Sequence, residues 1–585
     1  MKHGVSSNKW LAREIDERLV YRLVNDYNLS EILARILIGR GINIEEVEDF
    51  INPKIRKALP DPFHLIDMEK ACNRVYEAII NNQKILIFGD YDVDGATSSA
   101  LLKRLFTMLN VNCDIYIPDR ITEGYGPSAE LMSKFKSMDY SLVITVDCGV
   151  TAFDALEYAD NIMLDVIVLD HHLSEILLPR AFAIVNPNRI DESSKYTNIA
   201  AVGVSFLFAV GLISTLKKNK YFTSSNDIPN LLDLLDLVAL GTVCDMMPIT
   251  GLNRAFIMQG LKVIARQENI GLKTLAQIAC IEGKITTYHL SFVIGPRINA
   301  GGRVGSSYLG ARLLSMADPV KAYEYASRLE SFNLQRKAIE TRIIEEAVII
   351  AQEQSGNSHI IVSSTSWHQG VIGIVASKLK EKYQKPIIAI SIENGIGKAS
   401  CRSVKGINLG QKITKAKDMG LLIGGGGHAM AAGFTIDANK IPEFSLFLEQ
   451  ELSSDLDCFE ENMIKYYDAF ISPNGVNINL AKELEKLEPY GIGNDEPLIL
   501  IEGLYVLKAR ILSNQHISIL FAPSRDSYGT KAINGICFNG INSPMEQVLL
   551  SEKVRKISII CNVKVNNWQG NNSLQVIVHD LIQQD

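Results

Sequence analysis

The chain has 585 residues, 47% hydrophobic and 21% charged, an ordinary globular mixture with room for roughly three to five domains. With 59 Lys and Arg against 66 Asp and Glu the net charge is −7, which excludes a protein that holds nucleic acid by bulk positive charge and leaves room only for a local basic groove. Nine cysteines, an odd number with no C-x-x-C pair, argue against a disulfide framework or a structural zinc site and for reduced thiols in a cytoplasm.

The N-terminal stretch MKHGVSSNKWLAREIDERLVYRL turns charged at once and carries no apolar signal segment. Residues 1–75 read as a helical segment packed on the lobe that follows. From Lys84 onward, KILIFGD, CDIYIPD, SLVITVD, DVIVLD and AFAIVNP are short apolar runs separated by helix-length segments, the pattern of a parallel sheet with crossover helices over 76–317. Asp90, Asp119, Asp147 and Asp170 fall where these strands end, and in such sheets functional residues gather there. Each alone reads as a helix N-cap; four in succession suggest a shared site. Thr197–Leu216 is uncharged and nearly long enough to span a membrane, but its hydroxyl residues and two glycines fit a buried helix, so no membrane association is predicted.

Asp318-Pro319 is a helix start, and Val320 to Ser355 holds no Gly or Pro, with apolar residues spaced for a helix (Ala326, Leu329, Phe332, then Ile339, Ile343, Ala347). Residues 318–356 therefore form a connecting strut, as one helix or as two broken near Asn333. A second, smaller α/β domain follows over 357–455, with HIIVSST and PIIAISI as strands. An acidic stretch (Glu449, Glu451, Asp455, Asp457, Glu460, Glu461) reads as a solvated linker. Residues 456–585 hold LILIEGLYVLKARIL, HISILFA, INGICF and ISIICNVKVN between turn residues, an all-β pattern of about five strands that suits a small Greek-key barrel.

Chemistry concentrates in the first α/β region. GDYDVDG sets Asp90, Asp92 and Asp94 just past a buried strand, and three unpaired carboxylates there need a cation to neutralise them. A calcium loop of the EF-hand type is the bland alternative, but position 101 is Leu where that loop needs Glu, and a strand precedes it. VITVDCG supplies Asp147 and VLDHHL supplies Asp170, His171 and His172; mixed carboxylate and imidazole ligands suit manganese, iron or zinc. DLVALGTVCD places Asp236 and Asp245 around an apolar, strand-like run. Two stretches without acidic residues, Gly283–Ala317 and Asn394–Lys417, carry Lys284, Arg297, Arg303, Arg312, Lys398, Arg402, Lys405, Lys412, Lys415 and Lys417, the local segregation a phosphate-tracking groove requires. GGGGH reads as a tight turn that sets His428 beside a substrate.

The motifs DYDVDG, DCG, DHH and GTVCD, in that order, resemble the DHH phosphoesterase superfamily and, within it, the RecJ family of single-stranded-DNA-specific exonucleases. IPDRITEGYG, GPRINAGGR, GKASCRS, GGGGHAMAAG and LEPYGIGNDEP extend the resemblance over roughly residues 80 to 500. Cys401 and Asp495 depart from the family pattern, and neither occupies a ligand position.

The resemblance implies a two-metal centre of manganese or magnesium held by Asp90, Asp92 or Asp94, Asp147, His171, His172 and Asp245, with Asp147 bridging and Asp236 in a supporting or capping role. It implies that Arg120, Ser400 and Arg402 hold a 5′-phosphate, that Arg297 or Arg303 meets the scissile phosphate, that Asn299 and Ser403 also bind nucleic acid, and that His428, not a metal ligand, contacts the nucleic-acid backbone or the second-domain wall of the cleft. The last region would be an oligonucleotide-binding barrel with Tyr505, Phe521, Phe538 and Trp568 as stacking or core aromatics. The implied activity is 5′→3′ hydrolysis of single-stranded DNA to mononucleotides in repair and recombination, by a cytoplasmic monomer served by a single-strand-binding protein and a helicase. A DHH phosphodiesterase for short oligonucleotides or cyclic dinucleotides, and a non-catalytic replication scaffold, are the alternatives.

Overall fold

The computed structural model describes residues 2–120, 122–453, 464–524, 532–551, 556–568 and 571–583. Asp455, Asp457, Glu460 and Glu461 of the proposed linker fall outside these residues, and the Trp568 side chain is likewise undescribed.

The N-terminal segment comprises β1 (Lys2–His3), β2 (Lys9–Ala12), α1 (Glu17–Tyr27), α2 (Glu31–Gly39), α3 (Val47–Ile51) and α4 (Ile55–Ala58). Its first part, α1 to α3, packs mainly on the C-terminal barrel, against the expectation that the whole of residues 1–75 packs on the lobe that follows. Val20, Leu23, Leu33, Ile36, Leu37 and Val47 share one core with Leu504, Ile519 and Phe521 of the C-terminal barrel. The Trp10 indole donates to Asp580 at 2.8 Å, and Arg13 and Arg40 both pair with buried Asp468. From α4 onward the chain turns to the first α/β lobe: Ile55, Ala58 and Leu59 pack against its core, and Leu65 and Met68 are buried within it. An amphipathic stripe fixes which side of a helix is buried, not its partner.

The first α/β lobe runs α5 (Met68–Ile80), β3 (Ile85–Gly89), α6 (Val93–Met108), β4 (Cys113–Tyr116), α7 (Ala129–Ser137), β5 (Leu142–Val146), α8 (Phe153–Asn161), β6 (Asp165–Leu169) and β7 (Ala183–Val185). The five strands pair in parallel, in the order β4-β3-β5-β6-β7. Alternation along them splits the apolar residues between two faces. Ile85, Ile87, Ile144, Val146, Ile167 and Leu169 enter one core, while Leu86, Phe88, Val143, Val166 and Val168 enter the other. The strand order reverses between β3 and β5, which opens a crevice beyond their carboxyl ends.

α5, α6 and α9 (Ala201–Lys218) cover the first face, and α10 (Leu235–Cys244), α11 (Gly251–Ile264) and α12 (Ile270–Ile278) extend the same core behind them. α9 is long and apolar enough to cross a membrane, yet 78% of it is buried inside the lobe, as expected of a core helix. α10 corrects the strand-like reading of DLVALGTVC; a segment apolar on every side shows neither period, and burial all round suits a core helix equally well. At Gly241 a Cβ would stand 2.3 Å from Thr97 Oγ1, so glycine is what lets α10 close on α6. A π-helical segment, His289–Ile294, then leads into α13 (Gly295–Val304) and α14 (Leu309–Ser315).

α15 (Pro319–Glu353) is one unbroken helix, capped by the Asp318 carboxylate on the amides of Val320 and Lys321. Asn333, where a break was conceivable, is buried and accepts a hydrogen bond from Arg336 at 2.7 Å. The second lobe holds β8 (Ile360–Ser364), α16 (Ile372–Tyr383), β9 (Ile387–Glu393), β10 (Ile396–Arg402), α17 (Leu409–Asp418), β11 (Gly424–Gly427), β12 (Ala431–Asp437) and α18 (Ile441–Leu452) in a sheet ordered β11-β12-β10-β9-β8. GGGG is thus an edge strand rather than a turn, and Gly425 lies so near Phe434 that a Cβ would approach its Cβ to 2.6 Å. After β13 (Ile464–Tyr467) and β14 (Ala469–Ile471), the strands β15 (Ile499–Leu512), β16 (His516–Ala522), β17 (Ile533–Cys537), β18 (Lys556–Trp568) and β19 (Asn571–Gln583) close a five-stranded barrel through the β15–β18 pairing. Phe521 is core, whereas Phe538 is half exposed and meets His516 edge-on.

Candidate metal centre and phosphate groove

The crevice at the β3/β5 reversal collects the acidic motifs. Asp90 follows β3, Asp147 follows β5, His171 follows β6, and Asp245 ends α10. The DYDVDG loop is wound tightly because Gly95 allows it; a Cβ there would lie 2.4 Å from the Asp90 carbonyl oxygen. One Asp92 oxygen caps α6 by accepting the amides of Asp94 and Gly95. Asp94 accepts the Ala201 and Val202 amides at 2.6 and 2.9 Å, at the start of α9. Asp147 sits at φ 62°, the left-handed region that a non-glycine residue enters only under constraint, and such strain gathers at functional sites.

His171 is the hub. Its Nε2 lies 3.3 Å from Asp147, 3.6 Å from Asp245 and 3.8 Å from Asp94. Three sets bring one ligand atom from each residue within 4.8 Å of one another: Asp147, His171 and His172; Asp94, His171 and Asp245; and Asp90, Asp92 and Asp147. Asp147 and His171 each belong to two sets, so they join the others into one cluster. All seven residues singled out in the sequence meet here.

Burial is the main force on their protonation. Desolvation, then the charge of Asp92, raises Asp94 to about 7, and desolvation, then Asp94, raises Asp245 to about 9. Asp90 and Asp147 are pushed well above the usual carboxylate range by burial and by neighbouring aspartates. Burial, then His172, lowers His171 to about 4. Asp90 Oδ1 and Asp245 Oδ2 are buried with no hydrogen-bond partner among the described residues. Neutral imidazole and crowded carboxylates with orphaned oxygens form an acceptor set, and a divalent cation satisfies it.

The structure gives Asp170 a supporting part. It is fully buried and accepts His172 Nδ1 at 2.7 Å together with the amides of His171, His172 and Val150. Burial opposes its ionisation, but the His172 bond and charge and the Val150 amide outweigh that and bring it to about 2. Across His172, burial works against the charged ring while the Asp170 bond raises it above its ordinary value. Asp236 is no ligand: buried on α10, it pairs with Arg104 of α6 at 3.0 Å and accepts from Asn269, fixing the helix that ends in Asp245. Asp119 accepts from Thr122 in its own turn, away from the cluster. Tyr125, which sequence reasoning passed over inside ITEGYG, donates its hydroxyl to the Asp147 carbonyl at 3.1 Å and packs edge-on against Tyr91 and His172. Its position between two left-handed glycines, Gly124 and Gly126, was the available signal.

The basic residues sort differently from expectation. Arg303 is held between the lobes, donating to the Gly370 carbonyl at 3.0 Å; burial, then the nearby charges of Arg120, Arg336 and Arg402, lowers it to about 10. Arg402 and Ser400 share the outer face of β10, against α16, while Cys401 fills the core. A Cβ at Gly373 would lie 3.1 Å from Ser400 Oγ and 3.3 Å from Arg402, so the first turn of α16 opens onto the same pocket. Arg120 stacks over the Tyr91 ring at 5.0 Å. Among the described residues neither Arg303 nor Arg402 pairs with a carboxylate, unlike Arg297, Lys284 and Lys415, which pair with Glu330, Glu488 and Glu451. The Arg297–Glu330 pair braces α13 against α15. The Ser403 hydroxyl is buried and donates to the Ile407 carbonyl at 2.8 Å. Asn299 is half-buried on α13, and His428 is exposed in the turn before β12, its amide donating to Ala431.

Comparison with known proteins matches residues 84–242 to the DHH family N-terminal domain, 356–454 to the DHHA1 domain and 467–580 to the RecJ OB domain. The chain is 31% identical over 573 residues to the single-stranded-DNA-specific exonuclease RecJ of Escherichia coli, covering 94% of this chain and 96% of that one. Against the Bacillus subtilis RecJ it is 29% identical over 580 residues, 98% of this chain and 71% of the relative. Among solved structures, RecJ of Thermus thermophilus in complex with Mn2+ superposes with a TM-score of 0.80 at 26% identity, covering 99% of this chain and 80% of that one.

Proposed function

The chain belongs to the RecJ family of single-stranded-DNA-specific exonucleases, and on that premise we propose that it hydrolyses single-stranded DNA from the 5′ end to 5′-mononucleotides by a two-metal mechanism. The observation that carries this reading is the meeting of two clusters. A cage of carboxylates and imidazoles on the β3/β5 crevice faces a pocket where Arg303 and Arg402 have no carboxylate partner among the described residues.

Asp90, Asp92, Asp94, Asp147, His171 and Asp245 are the residues to hold divalent manganese or magnesium, with His172 beside them. Such ions, when bound, lower the pKa of a water and neutralise charge on a phosphodiester. The chain itself does the rest. Asp170 takes the Nδ1 proton side of His172 and so turns its Nε2 toward the cluster. Arg120, Ser400 and Arg402, with the first turn of α16, grip a terminal 5′-phosphate, and Arg303 approaches the scissile one from between the lobes. A terminus held there sets the direction of digestion. Repair and recombination, with a single-strand-binding protein and a helicase delivering the strand to a cytoplasmic monomer, complete the reading.

The test is timed digestion of one strand labelled at its 5′ or its 3′ end, in manganese or magnesium. Early release of the 5′ label as a mononucleotide is the expected result; early release of the 3′ label, or no hydrolysis in either metal, rejects the reading.

A further inference from the structure

Beyond Asp245, toward the barrel, the surface turns aromatic. Tyr288 and Phe292 are 62% and 65% exposed, far more than aromatic side chains held for packing, and their ring centroids lie 5.3 Å apart at 35°. They stand one turn apart on and beside the π-helical segment His289–Ile294, a winding frequent at functional sites. That segment is pinned to the metal cage. Cys244 donates its thiol to the Leu290 carbonyl at 3.4 Å, and a Cβ at Gly295 would sit 2.6 Å from the Cys244 sulfur. Cys244 immediately precedes Asp245.

The rings line a groove of about 420 Å³ together with Met246, Tyr490, Ile492 and Lys564, so it runs from the segment next to Asp245 to the base of the barrel. Its two lysines are paired, Lys284 at 3.7 Å from Glu488 and Lys564 at 2.8 Å from Glu496, and Asp495 adds a third carboxylate, so the lining is net acidic. A groove without net positive charge is poorly suited to tracking phosphates, whereas exposed aromatic faces suit unpaired bases of any sequence. A duplex hides those faces. We propose that Tyr288 and Phe292 form a stacking platform for bases of the retained strand, trailing from the metal centre toward the barrel, and that it favours long single strands over dinucleotides. The proposal rests on the nuclease reading above.

The test uses the full chain and a single strand of about twelve nucleotides carrying 2-aminopurine at successive positions. Binding is followed with metal chelated, and kcat/KM is then compared for this strand and a dinucleotide in manganese. In the wild type, 2-aminopurine a few nucleotides from the 5′ end is quenched. In the Tyr288→Ala/Phe292→Ala variant that quenching disappears, Kd rises at least about fivefold per ring, and the strand-to-dinucleotide ratio of kcat/KM falls by a similar factor, as loss of ~1 kcal/mol of stacking per base requires. Tyr288→Phe with Phe292→Tyr restores both readouts. Unchanged quenching and Kd overturn the platform, as does an equal loss on strand and dinucleotide; in either case the groove serves another occupant, such as an apolar protein segment. If the wild type cleaves neither substrate, the nuclease reading fails, while quenching without metal still decides the platform.

Discussion

His172 Nδ1 and Asp170 Oδ1 lie 2.7 Å apart, and this is the one carboxylate of the crevice driven to a low pKa, about 2, while Asp90, Asp94, Asp147 and Asp245 are driven up. The pair separates roles: Asp170 stays ionised and points the imidazole, and the others wait for a cation. Asp170→Asn keeps the shape and removes the charge. It is expected to lower manganese affinity or turnover by about 10–100-fold, the usual cost of losing a carboxylate behind a ligating histidine, with circular dichroism unchanged. Calorimetric titration with manganese beside an activity assay checks this; wild-type affinity and rate in the variant would remove Asp170 from the site.

The raised carboxylates make a pH prediction for the metal-free protein. An unfolded aspartate releases its proton near pH 4, whereas folded Asp94 and Asp245 hold theirs to about 7 and about 9. The folded state then binds more protons than the unfolded one, so the stability these groups contribute is fully present below about pH 4 and is lost as pH rises from there through about 7 for Asp94 and about 9 for Asp245. A divalent cation replaces the protons. The Tm gain on adding manganese is therefore larger at about pH 9 than at about pH 6. Asp245→Asn raises the metal-free Tm at the higher pH and loses most of that gain. Differential scanning calorimetry at both pH values is the measurement, and a pH-independent gain contradicts the account.

Arg402 should read the chain terminus. Its guanidinium has no carboxylate partner among the described residues and leans on Ser400 and Ser377 hydroxyls at 3.3 and 3.1 Å. Losing one charge-assisted contact of ~1.5–3 kcal/mol corresponds to about 10- to 150-fold in affinity. Arg402→Ala is expected to raise KM by that order for a strand with a 5′-phosphate and to erase its advantage over a 5′-hydroxyl strand. An undiminished preference for the phosphorylated end would assign the pocket elsewhere.

The catalytic sheet was readable because parallel strands buried on both faces are continuous apolar runs, and the cage followed from acidic residues at their ends. The direction of individual side chains was less accessible. On β10, alternation sends Ser400 and Arg402 outward and Cys401 inward, but Ser403 lies past the strand, where the chain turns and buries its hydroxyl. Arg297 and Arg303 look alike in a stretch without acids; the partner of one, Glu330, comes from a helix 33 positions away. DLVALGTVC carried no period to separate helix from strand. GGGG suggested a turn because glycine says what backbone is allowed, not that a neighbour such as Phe434 will press a strand flat against it. The acid-free segments were a sound pointer to charge placement, yet only tertiary pairing reveals which cations stay unspent.

Arg254 explains another motif, LEPYGIGN, that sequence reasoning could quote but not interpret. From α11 its buried guanidinium donates to the carbonyls of Phe50, Leu487, Glu488 and Pro489 at 2.6, 3.1, 2.7 and 3.3 Å, and lies 4.0 Å from the Phe50 ring centroid. One side chain thus ties the catalytic lobe to the N-terminal segment and to the chain entering the barrel. Burial, which lowers it to about 10, leaves it charged at neutral pH. Arg254→Met fills similar volume but strands the carbonyls, each such buried group costing about 1–3 kcal/mol when unsatisfied. The urea midpoint is expected to fall, and limited proteolysis to cut faster near Leu487–Pro489. Affinity for a long strand should weaken more than turnover of a dinucleotide, because the barrel loses its fixed seat while the metal cage does not. If the midpoint and the cleavage pattern match wild type, other contacts seat the barrel and Arg254 is dispensable to it.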